Sequence, residues 1–173
     1  RELQSEDPGG LIVNHFLDLS DPEKSAMLDR AVADPGLIVA SDAMVWLGAD
    51  RELLTDQWPP GDDALAHPRS AGAFSRFFGV YVREKELVPL GEAVRRTSLE
   101  PARLLESVAP QMRRKGRIQV GADADIVIFD LASIGSPATF EKPARPSNGI
   151  SHVIVAGVPV VANGVLDPDS LPG

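Results

Sequence analysis

The period of the apolar residues changes at Pro110, and that change restricts the chain to a mixed architecture. Before it, helical patterns flank a short continuous apolar run. After it come short branched runs separated by tight turns. Leu11-Ile12-Val13 follows Pro8-Gly9-Gly10 and reads as a short buried strand. Ser20-Asp21-Pro22-Glu23 is a helix start, with a capping side chain, proline in the first turn and an acid beside it. That helix runs through Met27, Leu28 and Ala31 to about Ala33, where Asp34-Pro35-Gly36 stops it. Leu37-Ile38-Val39-Ala40, bounded by Gly36 and Ser41, has the look of a parallel strand covered on both faces, which would complete a βαβ unit.

Residues 47–69 hold no period, and Trp58-Pro59-Pro60-Gly61 is turn chemistry, so a binding loop or lid is expected there. A helix follows over 72–86, with Phe74, Phe77, Phe78 and Tyr81 on one stripe that serves core packing. Pro89-Leu90-Gly91-Glu92 opens a second helix to about Arg96, and Ser98-Leu99-Glu100-Pro101 caps a third over 102–107. In the last third, 115–121 and 125–130 read as strands. Residues 150–161 read as a hairpin turning at Ala156-Gly157, and Asn163-Gly164 as a second tight turn. The expectation is an α/β portion to about residue 108, then a small β portion.

Composition narrows function by exclusion. Apolar residues are 43% and charged ones 24% of 173, enough for an ordinary core. No apolar run approaches the roughly 20 residues of a membrane-spanning helix. There are no cysteines, so disulfides and cysteine-built zinc sites are absent. A cysteine-free chain suits either cytoplasm or secretion, and the cytoplasm is the expected compartment. The net charge of −8 argues against a general nucleic-acid binder. No phosphate-cradling glycine loop and no Gly-x-Ser-x-Gly elbow is present.

Asp42 stands where the apolar run 37–40 ends, and ligands of α/β folds bind outside the carboxyl ends of strands. It could take a proton from a metal-bound water and pass it to a leaving amine; a turn cap is the ordinary role of aspartate at such a place. Arg69, in His67-Pro68-Arg69, offers a planar fork suited to a carboxylate, or to a structural ion pair. His67 and His15 suit structural hydrogen bonding, and His152 has no assigned role. Three histidines at 15, 67 and 152 do not make a metal site, which wants three or four supported ligands. The basic cluster Arg113-Arg114-Lys115 suits a solvated turn.

Several segments together resemble the C-terminal part of the metal-dependent amidohydrolases. They are Thr97-Ser98-Leu99-Glu100-Pro101, Lys115-Gly116-Arg117-Ile118, Gly121-Ala122-Asp123-Ala124-Asp125 and Val153-Ile154-Val155-Ala156-Gly157. Ser41-Asp42 followed by His67-Pro68-Arg69, with Thr139-Phe140-Glu141-Lys142-Pro143 further on, is similar to the N-acyl-D-amino-acid deacylase group, D-aminoacylases and N-acyl-D-glutamate deacylases included.

The resemblance implies an α/β fold: the last strands and helices of a (β/α)8 barrel over 1–108, then strands of a small β-sandwich over 109–173. It implies zinc-dependent hydrolysis of N-acyl-D-amino acids, with Asp42 as catalytic proton carrier and Arg69 on the substrate carboxylate. The family's metal ligands are expected upstream of Arg1, so the chain reads as a piece of the enzyme and, alone, as inactive. The implied partners are the small-molecule substrate and either the upstream part of the same protein or a second copy, with no nucleic acid and no membrane. The loop from Asp42 to His67 is longer than is usual in that group. The rival readings are a non-catalytic degenerate module and an amidohydrolase acting on a cyclic amide.

Overall fold

The computed structural model describes residues 18–54, 59–170 and 172; the expected strand at 11–13 and His15 lie outside them. Helix α1 spans Pro22–Ala33, with Asp21 as its cap: one carboxylate oxygen accepts the N–H groups of Glu23 and Lys24, donors that a first turn leaves unpaired. Helix α2 spans Arg69–Arg76 and continues without a break as wide π-helical turns over Phe77–Glu84. A second continuous rod runs through α3, Leu90–Val94, a π-helical stretch Arg95–Leu99, and α4, Glu100–Leu105. A 3-10 turn, Pro110–Arg114, leads to the β portion.

The rod corrects the expectation of two helices separated by a cap at Ser98. The Ser98 hydroxyl instead donates back to the Val94 carbonyl at 2.5 Å, and Thr97 Oγ1 donates to the Ala93 carbonyl at 2.9 Å. The widened register explains how Pro101 is tolerated. The Glu100 N–H reaches back to the Arg95 carbonyl, one residue further than in an α-helix. Five residues beyond Arg96 stands Pro101, which has no N–H to give. The Arg96 carbonyl is thereby left to accept the Val39 N–H, at 3.2 Å.

That bond also corrects the reading of 37–40. The segment is not a strand; it lies against the α3–α4 rod. Its anchor is Arg96, 2% exposed, whose Nε donates to the Leu37 carbonyl at 2.7 Å and Nη1 to the Val32 carbonyl at 2.8 Å. The guanidinium sits 5.6 Å from the Phe77 ring centroid, within cation–π reach. Around it the core gathers Phe77, Phe78, Val82, Val88, Ala93 and Ile134.

Strands β1 (Ile126–Phe129), β2 (Ile150–Val155), β3 (Val158–Ala162) and β4 (Val165–Leu166) form an antiparallel meander in chain order. The turn at Ala156-Gly157 has positive φ at both residues, as a right-twisted hairpin requires. Asp125 braces it: its carboxylate accepts the Ala156 N–H at 2.8 Å and pairs with Lys115. That N–H first, and Lys115 second, hold the Asp125 carboxyl below its ordinary value. Residues 115–121 form turns rather than the expected strand. Much apolar surface stays uncovered in this half: Val127 and Ile128 are about half exposed, and Ile118 is 89% exposed.

The loop before β2 depends on one glycine. Gly149 has φ +74°, and a Cβ there would sit 2.5 Å from the Ile134 backbone nitrogen. Gly149→Ala should therefore destabilise the protein by about 2–4 kcal/mol, from the left-handed conformation and the overlap with core backbone. Chemical denaturation of the complete protein measures it, and a loss below about 0.5 kcal/mol would place the Ile134 backbone further away than described.

Candidate active site

The site is built where the segment after 37–40 meets the first turn of α2. Helix α2 begins at Arg69 because the preceding residues supply its partners. His67 Nδ1 accepts the Arg69 N–H at 3.1 Å, and the His67 carbonyl accepts the Ser70 N–H at 2.9 Å. His67 thus has a structural task, and its ring packs edge-on against Phe140, centroids 5.0 Å apart. Gly72 lets the 136–140 segment approach, since a Cβ there would meet the Ser136 side chain. Ser75 and Ser147 share a hydrogen bond of 2.7 Å one turn further along.

Asp42 and Arg69, 27 residues apart, are brought together. Arg69 Nη2 lies 2.9 Å from Asp42 Oδ2, and Arg69 Nε donates to the Asp42 carbonyl oxygen at 2.5 Å. The arginine grips both the side chain and the backbone of the aspartate along one edge of its fork. Asp42 has φ +47°, a left-handed conformation uncommon outside glycine but best tolerated by aspartate and asparagine. Its carboxylate is 85% exposed among the described residues, and Arg69 36%.

Ser70 carried no sequence expectation. Its hydroxyl accepts the Met44 N–H at 2.9 Å and donates to the Met44 carbonyl at 3.0 Å. The only sequence signal was its place beside Arg69. Past Met44 the chain makes a closed excursion. Leu47 and Leu65 exchange two backbone hydrogen bonds, 3.0 and 2.8 Å, and the Leu54 N–H donates to the Trp46 carbonyl at 2.9 Å. The stretch read as aperiodic therefore has an ordered base. His152 lies in β2, opposite Ile128, where its Nδ1 meets the Ser151 hydroxyl at 3.1 Å.

Among the described residues no group of three or more histidine, cysteine, aspartate or glutamate side chains is placed to hold a metal ion. The residues seen here do not fit a zinc centre, which takes three or four protein ligands.

The start of α2 thus presents an arginine to the aspartate that follows the segment 37–40. Residues 22–161 match the amidohydrolase family, and the chain belongs to that family. It is 42% identical over 99 residues to an N-acyl-D-glutamate deacylase of Alcaligenes xylosoxydans xylosoxydans and 40% identical over 99 to a D-aminoacylase of the same organism. Each alignment covers 57% of this chain and 19% of the relative. Among solved structures it resembles the N-acyl-D-glutamate deacylase of Bordetella bronchiseptica, complexed with zinc and a phosphonate that mimics the tetrahedral intermediate. That likeness has 34% identity and a TM-score of 0.60, and covers 83% of this chain and 26% of that one. The chain thus spans about a fifth of the curated relatives it matches.

Proposed function

We propose that the complete protein hydrolyses the amide bond of N-acyl-D-amino acids, N-acyl-D-glutamate among them, to a carboxylate and a free D-amino acid. It would require zinc, and the described residues supply no ligand set for it. In this reading 1–108 belong to a (β/α)8 barrel and 109–173 to a small β-sandwich, and the rest of the protein covers Ile118, Val127 and Ile128. The observation that carries the proposal is the contact between Asp42 and Arg69.

Asp42 is the proton carrier. It stands exposed, fixed at two points, and free on the side away from Arg69 to receive a proton and deliver it to the leaving nitrogen. Arg69 is the substrate clamp. Guanidinium carries five N–H donors in a planar fork, and Asp42 takes only the Nε and Nη2 edge. The Nη1 end makes no hydrogen bond or ion pair among the described residues and suits a second carboxylate, the α-carboxylate of the substrate. One guanidinium would then set the distance between the proton carrier and the substrate.

The test is kinetic, on the complete zinc-loaded protein, with an N-acyl-D-amino acid and its α-amide. The parent should release free D-amino acid. Arg69→Met should lower kcat/KM for both substrates, because Asp42 loses its support. The acid should fall about 10- to 100-fold further than the amide, the worth of a charge-assisted bond. Equal losses for the two would remove Arg69 from substrate recognition. No release from any N-acyl-D-amino acid would overturn the assigned function.

A further inference from the structure

We infer that Ser70 is a positioning residue for Asp42, acting through the Met44 peptide. The inference rests on the role given above to Asp42. The conformation of Asp42 needs explaining on energetic grounds: at φ +47° a residue with a Cβ is strained. Such a state persists only where the surroundings over-determine it. On the near side, Arg69 grips the Asp42 carboxylate and carbonyl. On the far side, two residues on, the Ser70 hydroxyl closes on both polar groups of Met44, as donor to one and acceptor from the other.

A hydroxyl can do both at once, as few side chains can. The Met44 carbonyl and N–H thereby have their partner away from any sheet. Arg69 and Ser70 are consecutive in the first turn of α2, so one rigid helix end holds residues 42 and 44 together. The turn at Asp42 is stretched between two neighbouring anchors. Releasing Met44 would let Asp42 relax into an ordinary conformation and swing its carboxylate off the Arg69 edge. Ser70 touches no reacting atom in this scheme; its effect reaches the reaction through where Asp42 points.

The experiment is a double-mutant cycle in the complete zinc-loaded protein. Ser70→Ala should lower kcat about 10- to 100-fold, as displacement of a catalytic group by an ångström does, with KM nearly unchanged. Ser70→Thr keeps the hydroxyl and should restore most of the turnover. Combined with Asp42→Asn, Ser70→Ala should cost nothing further, because the group it positions is gone. A full additional loss in that background would show a general structural role and overturn the inference, as would near-parental kcat in Ser70→Ala. If the parent hydrolyses no N-acyl-D-amino acid, the functional reading falls, and a crystal structure of Ser70→Ala decides the clamp. Asp42 leaving positive φ and losing Arg69 would support it; Asp42 unmoved would overturn it.

Discussion

Replacing Asp42 with asparagine in the complete protein is expected to lower kcat by about 10²–10⁴-fold, with zinc content unchanged. The substitution is chosen for what it preserves. Asparagine has the shape of aspartate, tolerates the left-handed backbone at this position, and keeps an oxygen that can accept from Arg69 Nη2. It loses the carboxylate that takes up the proton. Arg69 and Ser70 should keep their grips, so the loss should fall on turnover, with KM little altered. Steady-state kinetics beside elemental analysis measures the split. Turnover within about threefold of the parent would return Asp42 to the role of a turn residue.

The second large effect concerns stability. Arg96→Ala should destabilise the complete protein by about 3–5 kcal/mol, seen as a lowered denaturation midpoint or loss of soluble protein. Two contributions add. The Leu37 and Val32 carbonyls lose the donors of two part-buried hydrogen bonds, and removing the buried Arg96 side chain opens a cavity beside Phe77. Arg96→Lys should recover part of the loss, since an ammonium can serve one carbonyl but lacks the planar fork that serves two. Equal stability of parent and Arg96→Ala would mean that the 32–39 segment is held by something other than Arg96.

These two residues also mark what could be read from the sequence. Helix α1 was legible because its start and stop are local: Asp21 caps it, and Asp34-Pro35-Gly36 ends it. The β2–β3 hairpin was legible for the same reason, since Ala156-Gly157 carries the turn within its own backbone. The run 37–40 was misread because a strand is defined by a partner, and apolar character alone does not name one. Its partner among the described residues is the Arg96 carbonyl on a helix. That site depends on a proline five residues away and on a π register, which no hydrophobic pattern announces. Ser98 was misread because a hydroxyl can bond forward as a cap or backward into its own helix, and the residue type does not choose.

Asp42 was noticed from its place after an apolar run, and Arg69 from its fork. Family likeness implied a role in one site for each, but neither it nor the spacing supplied their direct contact across 27 residues. Ser70 stayed hidden because serine at a helix start is too common to signal anything.

One feature of the loop base bears on how such a protein can diverge. Leu47 and Leu65 close on each other through two hydrogen bonds, while Asp42 and Met44 are fastened separately to Arg69 and Ser70. The described residues between the two leucines lie outside the attachments that fix the aspartate, and Asp62 among them is tied separately to Arg145 at 2.9 Å. Lengthening such a loop raises its closure cost only with the logarithm of its length. The excursion is therefore a compartment in which substitutions, insertions and whole grafts can accumulate while the charged pair keeps its geometry.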